Sequence, residues 1–203
     1  EWESRIHPED HHRVMEANRI FYDSDNAQFE VEYRLRHKDG SYRWVLGRAA
    51  CLRDEQGKPV RLAGAHTDIT ERKQAEDVLR QSEEKYRLVF ENAPMGLLHF
   101  DHHGVVTACN DNLVGIIGSS RSALIGLNML ELPDQKVVDG VKTALNGRQG
   151  FYEDTYHSVT GNKSAPVRGL FAPSTDSKGQ IIGGVAMIED ITGRKKAEDA
   201  LRR

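Results

Sequence analysis

The stretch TERKQAEDVLRQSEEKYRLVFENA, residues 70–93, decides how this chain is built. Ala75, Leu79, Ser82, Tyr86, Val89 and Ala93 follow one another at intervals of 4, 3, 4, 3 and 4, the seam of a coiled coil. Charged residues such as Glu71, Arg72, Lys73, Glu76 and Asp77 flank that seam and read as a solvated face. Thr70 is expected to cap the helix, its hydroxyl accepting from a first-turn amide. Pro94 ends it, because the residue before a proline is pushed out of the α region. So polar and so regular a helix reads as a connecting rod, weak as a coiled coil because Ser82 and two alanines occupy its seam.

The start of the rod recurs. DITERKQAEDVLR at 68–80 returns as DITGRKKAEDALR at 190–202, an offset of 122 residues with 10 of 13 positions identical. Solenoid repeats run at about 20–50 residues, so this spacing marks a repeated domain. Each copy closes a β-rich segment and opens a helix. Asp68 with Arg72, and Asp190 with Arg194, are acid-to-base i,i+4 pairs expected to fasten strand end to helix start. Exposed pairs contribute only tenths of a kcal/mol, so their expected role is geometric. Asp68, Thr70, Arg72, Asp190, Thr192 and Arg194 are therefore the candidate signal junctions.

With 203 residues and this repeat, two domains are expected. A 38% hydrophobic and 29% charged composition fits a water-soluble protein, and a net charge of −3 gives no basic footprint for nucleic acid. No run approaches the roughly 18 apolar residues of a membrane span. Cys51 and Cys109 do not make a disulfide framework, which suits a reducing cytoplasm. The chain opens on Glu1, so it is expected to be a segment of a longer protein, with membrane segments upstream left open.

In chain order, residues 7–22 read as a helix with Pro8 in its first turn. Phe29, Val31, Tyr33 and Leu35 alternate with polar residues as a strand, Lys38-Asp39-Gly40 is a turn, and strands over 42–52 and 60–68 complete a meander. The second copy is longer. Strands over 95–101 and 105–110 flank the turn Asp101-His-His-Gly104, short helical pieces follow to Gly126, and a helix spans 134–145. Strands over 151–159, 164–172 and 180–190 come last.

This order resembles a PAS domain, and each Asp-Ile-Thr-x-Arg-Lys-x-Ala-Glu exit resembles the tail of its PAC region. The stretch DHHGVVTACN, residues 101–110, is similar to the family's first hairpin. The resemblance covers residues 84–192 as a whole domain and residues 2–70 as the C-terminal part of another, from Ile6-His-Pro-Glu-Asp10 onward. It implies an α+β PAS fold: a five-stranded antiparallel sheet with short helices on one face, the domains joined by a coiled-coil-like helix. The expected division is residues 1–70 as the C-terminal part of a first PAS/PAC domain and 71–93 as the connecting helix. Residues 94–192 are the second, complete domain, and 193–203 the exit helix toward an output domain. The first copy lacks the two leading strands, which leaves a sheet edge bare or completed by another chain.

PAS domains resembling this one use the pocket for a flavin, a haem, a small acid or nothing. Where relatives forming a flavin adduct carry a cysteine after Gly-x-Asn, this chain has Gly126-Leu-Asn-Met129, and methionine cannot form the thioether adduct. The helix over 134–145 carries no histidine for a haem iron. The cofactor is left unassigned. His99, Thr107, Asn110, Tyr156 and Arg168, with His157 beside them, are the polar residues set among apolar strand positions. A buried arginine with a histidine and a tyrosine could bind a carboxylate. Against this, alternation puts several of them on the solvent face, and Asn110 also suits a helix cap. His7 and His11 are four apart at a helix start, but no third metal ligand stands near them. No phosphate-binding loop, nucleophile–base grouping, kinase motif or cyclase motif is evident, so the segment is expected not to be an enzyme.

The functional expectation is a tandem sensory input region: a small ligand in the second pocket, relay through the junctions, and a homodimer through the helices. The output domain would be a histidine kinase or diguanylate cyclase. The alternative is a ligand-free dimerisation scaffold with the pocket plugged by Leu97, Phe100, Ile117, Leu124 and Phe171.

Overall fold

A computed structural model describes residues 1–23 and 28–202. The chain divides into two compact units, Glu1–Glu83 and Glu84–Arg203.

In unit 1 a short 3-10 turn, Glu3–Arg5, precedes helix α1, Pro8–Asp23. Three strands follow, β1 Gln28–Arg36, β2 Tyr42–Arg53 and β3 Pro59–Asp68, paired antiparallel in that order. Gly40 and Gly57 close the two hairpins at φ 88° and 79°, where a Cβ would be strained. Val14 and Phe21 of α1 pack on Phe29, Tyr33 and Val45 to make the core. Asp10, also buried, holds α1 to β1: its Oδ2 accepts from Arg34 N and Nε, each at 2.9 Å. β3 is exposed at every position and forms one edge of the sheet. Helix α2 then runs from Thr70 to Glu91.

Unit 2 carries β4 Gly96–Asp101, β5 Val106–Cys109, helices α3 Asp111–Ile117 and α4 Arg121–Leu124, a 3-10 turn Met129–Glu131, and α5 Gln135–Leu145. Strands β6 Gly150–His157, β7 Ser164–Thr175 and β8 Ile181–Asp190 follow, then α6 Thr192–Leu201. The five strands are antiparallel in the order β5-β4-β8-β7-β6. α5 buries Val137, Val138, Val141 and Ala144 in the core beside Phe171, each valine contributing about 1.5–3 kcal/mol. Two glycines bring α5 close to the sheet: a Cβ on Gly150 would lie 2.4 Å from Gly140 O, and one on Gly140 2.6 Å from the Phe171 ring.

The repeat extends through the sheets with one slip. Val45 pairs with Asp68, and Val167 with Asp190, so the last hairpin keeps the 122-residue offset. The leading strand does not. Phe29 pairs with Ala49, whereas Phe171, 122 residues on from Ala49, pairs with Gly150, 121 residues on from Phe29. A one-residue slip turns side chains to the other face of a sheet. Phe29 is accordingly 8% exposed and Phe151 72% exposed.

Candidate functional site

Between the inner face of the unit 2 sheet and the helices lies a cavity of about 50 Å³. Leu98, Val106, Met129, Val167 and Phe171 are among its walls, and the polar groups on it belong to Tyr152, Tyr156 and Lys163. Two of these are engaged. Lys163 Nζ donates to Gly115 O at 2.9 Å, and Tyr152 Oη donates to Asp134 Oδ2 at 2.8 Å. Asp134 also caps α5, accepting from Lys136 N at 3.0 Å, so one carboxylate fixes both the helix start and the tyrosine. Burial, and then the bond to Asp134, push the Tyr152 hydroxyl well above its ordinary range. Tyr156 makes no hydrogen bond among the described residues, and burial raises its pKa as well. An engineered apolar cavity of roughly 150 Å³ takes benzene. A third of that volume admits only a few heavy atoms unless side chains move.

The other polar candidates lie elsewhere. Arg168 is exposed, its Nε donating to Glu153 Oε2 at 3.0 Å across β6 and β7, so the expected buried arginine is instead a surface ion pair. Thr107 is exposed. His99, half-buried, alternates with Leu98 of the cavity wall and turns the other way, sharing a 2.9 Å hydrogen bond with Tyr86 Oη and packing on Phe90. Burial lowers its pKa. His157 Nδ1 and Ser164 Oγ are 2.7 Å apart at the strand end. Asn110 is 0% exposed and fully bonded. Its Oδ1 accepts from Leu97 N and Leu113 N, each at 2.9 Å, and its Nδ2 donates to Phe90 O and Met95 O, each at 3.0 Å. It caps α3 and ties α2 to the sheet, leaving no free valence for a ligand. Of the five candidates the cavity gathers Tyr156 alone; Asp134, Tyr152 and Lys163 went unanticipated. The signal for Asp134 was its place before an apolar helix, the position of an N-cap.

The plug candidates divide similarly. Phe100, Leu124 and Phe171 are core residues, and Leu124, Phe171 and Ile117 line the cavity. Leu97 instead takes the face of His99, two residues on along the strand.

The junctions share one plan. Asp68 Oδ1 accepts from Thr70 N at 2.9 Å, and Asp190 Oδ1 from Thr192 N at 2.9 Å and Thr192 Oγ1 at 2.5 Å. These threonine bonds hold both aspartates below the usual carboxylate range. The isoleucine between them is buried in each copy, its amide donating to Trp44 O or to Pro166 O, 122 residues apart. Two expectations are corrected here. The threonine amide is held by the preceding aspartate, while the Thr70 hydroxyl does not cap the helix but accepts from Trp44 N at 3.1 Å. Neither i,i+4 pair forms: Arg72 bonds Glu32 and Glu76, Arg194 bonds Glu198, and Asp68 faces Arg43 at 3.4 Å. With each aspartate turned onto its own threonine, the arginine one turn on takes the carboxylate in its own helix.

His7 and His11 diverge. The His7 ring packs on Tyr42 at 4.6 Å, and His11 Nε2 lies 3.1 Å from Glu3. Among the described residues no three His, Cys, Asp or Glu side chains gather as a metal site, and no helix is long and apolar enough to cross a membrane. Cys51 and Cys109 are both buried, and burial pushes the Cys109 thiol up.

Two family models match the chain, both described as the PAS fold, one over residues 1–66 and the other over residues 90–196. The chain is 25% identical to the two-component sensor PprA of Pseudomonas aeruginosa over 97% of its own length and 22% of that protein's. It is 30% identical to the sensor protein FixL of Bradyrhizobium diazoefficiens over 62% of itself and 25% of the relative. It is 23% identical to the probable diguanylate cyclase DgcE of Escherichia coli over 96% of itself and 18% of that protein. It thus spans a quarter or less of these relatives. Among solved structures, an RNA-binding light-oxygen-voltage receptor matches at TM-score 0.50 and 8% identity, over 98% of this chain and 87% of the other, a likeness of fold alone. With two modules of the same fold on one chain and sensor proteins among the relatives, the chain belongs to the PAS family as a tandem pair of PAS modules.

Proposed function

We propose that this chain is the sensory input region of a larger cytoplasmic signalling protein, and that unit 2 receives a small, mainly apolar ligand and passes the change to α6. The observation that carries this reading is the apolar cavity with Tyr156 on its wall, a hydroxyl without a partner among the described residues. A ligand bearing one hydrogen-bonding atom would give that hydroxyl a partner, a bond worth about 0.5–1.5 kcal/mol. The carboxylate ligand weighed from the sequence loses its support, because Arg168 pairs with Glu153 outside the cavity. The relay would run from β8 through buried Ile191 and the Asp190–Thr192 hydrogen bond into α6. Neither the cavity nor the junctions carry a grouping suited to catalysis. A kinase or cyclase output would lie elsewhere in the full-length protein, as the sensor and cyclase relatives suggest.

Native mass spectrometry of the freshly purified chain, compared with its denatured mass, tests the ligand. Extra mass lost on denaturation, and diminished in Tyr156→Phe, is the expected result. A native mass equal to the bare chain, with no thermal shift from small neutral compounds, would overturn the ligand reading. Asp190→Ala in the full-length protein tests the relay: unchanged output with ligand still bound would exclude this route.

The small cavity volume favours a second reading, a ligand-free dimerisation scaffold. Val78, Leu79, Tyr86 and Val89 of α2 are all exposed, an apolar stripe suited to the same stripe of a second copy. A dimer in native spectra with no extra mass, dissociated by Leu79→Glu, would support it.

A further inference from the structure

The two exit helices leave their sheets through matching registers but are held differently. In unit 1, Glu32 faces Leu46 across the strand pair, and its carboxylate takes Arg72 at 2.5 Å and Lys73 at 2.7 Å from the first turn of α2. Lys73 also lies over the Trp44 ring, 5.3 Å from its centroid. In unit 2 the register counterpart of Glu32 is Glu153, and the residue facing it, 122 positions on from Leu46, is Arg168. Arg168 holds Glu153 at 3.0 Å. Arg194 and Lys195, the counterparts of Arg72 and Lys73, then make no direct ion pair with a strand carboxylate, although the charge of Asp154 on β6 reaches Lys195. Arg194 bonds Glu198 of its own helix at 2.8 Å, and Lys195 has no ion pair among the described residues. Pro166 stands where unit 1 has Trp44, so the ring contact is absent too.

We infer that Arg168 is a positioning residue that withholds Glu153 from α6, leaving the unit 2 junction without the ion-pair clamp that holds that of unit 1. α6 lies against β7, the strand that carries Arg168. Glu198 chiefly raises the Arg194 pKa, but the charges of Glu153 and Glu189 add to it, which puts both within electrostatic reach. Glu189 stands opposite Arg168 on β8 but forms no ion pair with it, so removing the guanidinium frees Glu153. Exposed pairs are weak, so the device biases a helix that can still move. The inference rests on the reading of α6 as the output of unit 2.

Hydrogen–deuterium exchange on the whole chain tests it. Arg168→Leu, which installs the unit 1 residue type, should slow exchange in α6 about two- to fivefold, as one or two exposed ion pairs would. Arg168→Leu with Glu153→Gln should return the wild-type rate, and molar salt should erase the difference. Glu32→Gln should speed exchange in the first turns of α2 by a similar factor. Arg168→Gln repeats the test should leucine unfold the unit. Unchanged or faster α6 exchange in a folded Arg168 variant would overturn the inference. So would slowing that survives Glu153→Gln, because leucine packing would then be the cause. These rates involve neither ligand nor output: a failed ligand search would leave them standing, and their failure would leave the ligand search untouched.

Discussion

Replacing Asn110 by alanine should be among the most damaging single changes in unit 2. The side chain is 0% exposed and makes four hydrogen bonds, to Leu97 N, Leu113 N, Phe90 O and Met95 O. Losing an N-cap costs about 1 kcal/mol. The buried amide and carbonyls left behind cost about 1–3 kcal/mol each where water cannot reach them. With water reaching some of them, the sum is about 3–5 kcal/mol, a large part of the roughly 5–15 kcal/mol that holds a domain folded. Both tryptophans, Trp2 and Trp44, lie in unit 1, so fluorescence is blind to unit 2 while circular dichroism sees both. In urea, Asn110→Ala should lower the unit 2 transition by about 1–3 M at typical slopes and leave the fluorescence transition in place. Asn110→Asp should also destabilise, since it keeps both acceptor contacts but sets a carboxylate against two carbonyls. A loss below about 1 kcal/mol in Asn110→Ala would refute the reasoning and mean that water replaces the amide.

Three further outcomes are expected. Burial lowers the His99 pKa from its ordinary 6.5, so the unfolded chain binds the proton more readily; unit 2 should lose stability as pH falls below 6.5, and His99→Phe should flatten that slope in pH-dependent melts. In unit 1, burial would raise the Asp10 pKa, but the bonds and charge of Arg34 outweigh it and hold it below the ordinary 3.8. Its contribution is present above pH 3.8 and lost as pH falls further, so tryptophan fluorescence should report an acid transition below about pH 4 that Asp10→Asn reduces. Gly150→Ala should cost about 1–3 kcal/mol or more by calorimetry, because the new Cβ would lie 2.4 Å from a backbone oxygen that no rotamer change can move.

Much of the architecture was readable in the chain because it rests on local signals: the period of α2, the turn at Gly40, and the thirteen-residue repeat. The site was harder for one physical reason. Alternation assigns side chains to two faces but does not say which face is inside, and both faces of β6 and β7 mix polar with apolar residues. Arg168 looked like a buried anion clamp until pairing set it opposite Glu153. Phe29 and Phe151 sit 122 residues apart in the sequence, yet the slip of one residue in strand pairing gives them opposite environments. That slip follows from how chains meet across a ladder and leaves no local mark. The junction aspartates were found, but their partners were misassigned, because spacing in a helix cannot foresee that a carboxylate will fold back on the threonine two residues away.

The bare edge of β3 gives this molecule a built-in reporter. Ile69 N bonds Trp44 O, and amides alternate in direction along an antiparallel strand. The amides of Ala63, Ala65 and Thr67 therefore point to β2, while those of Leu62, Gly64 and His66 point outward, so deuterium should label the strand in a dotted pattern. Any strand that docks there, whether from flanking sequence or from another protein, must quench those alternate positions. A fading stripe of labels would register that docking without anyone having to guess beforehand who supplies the strand.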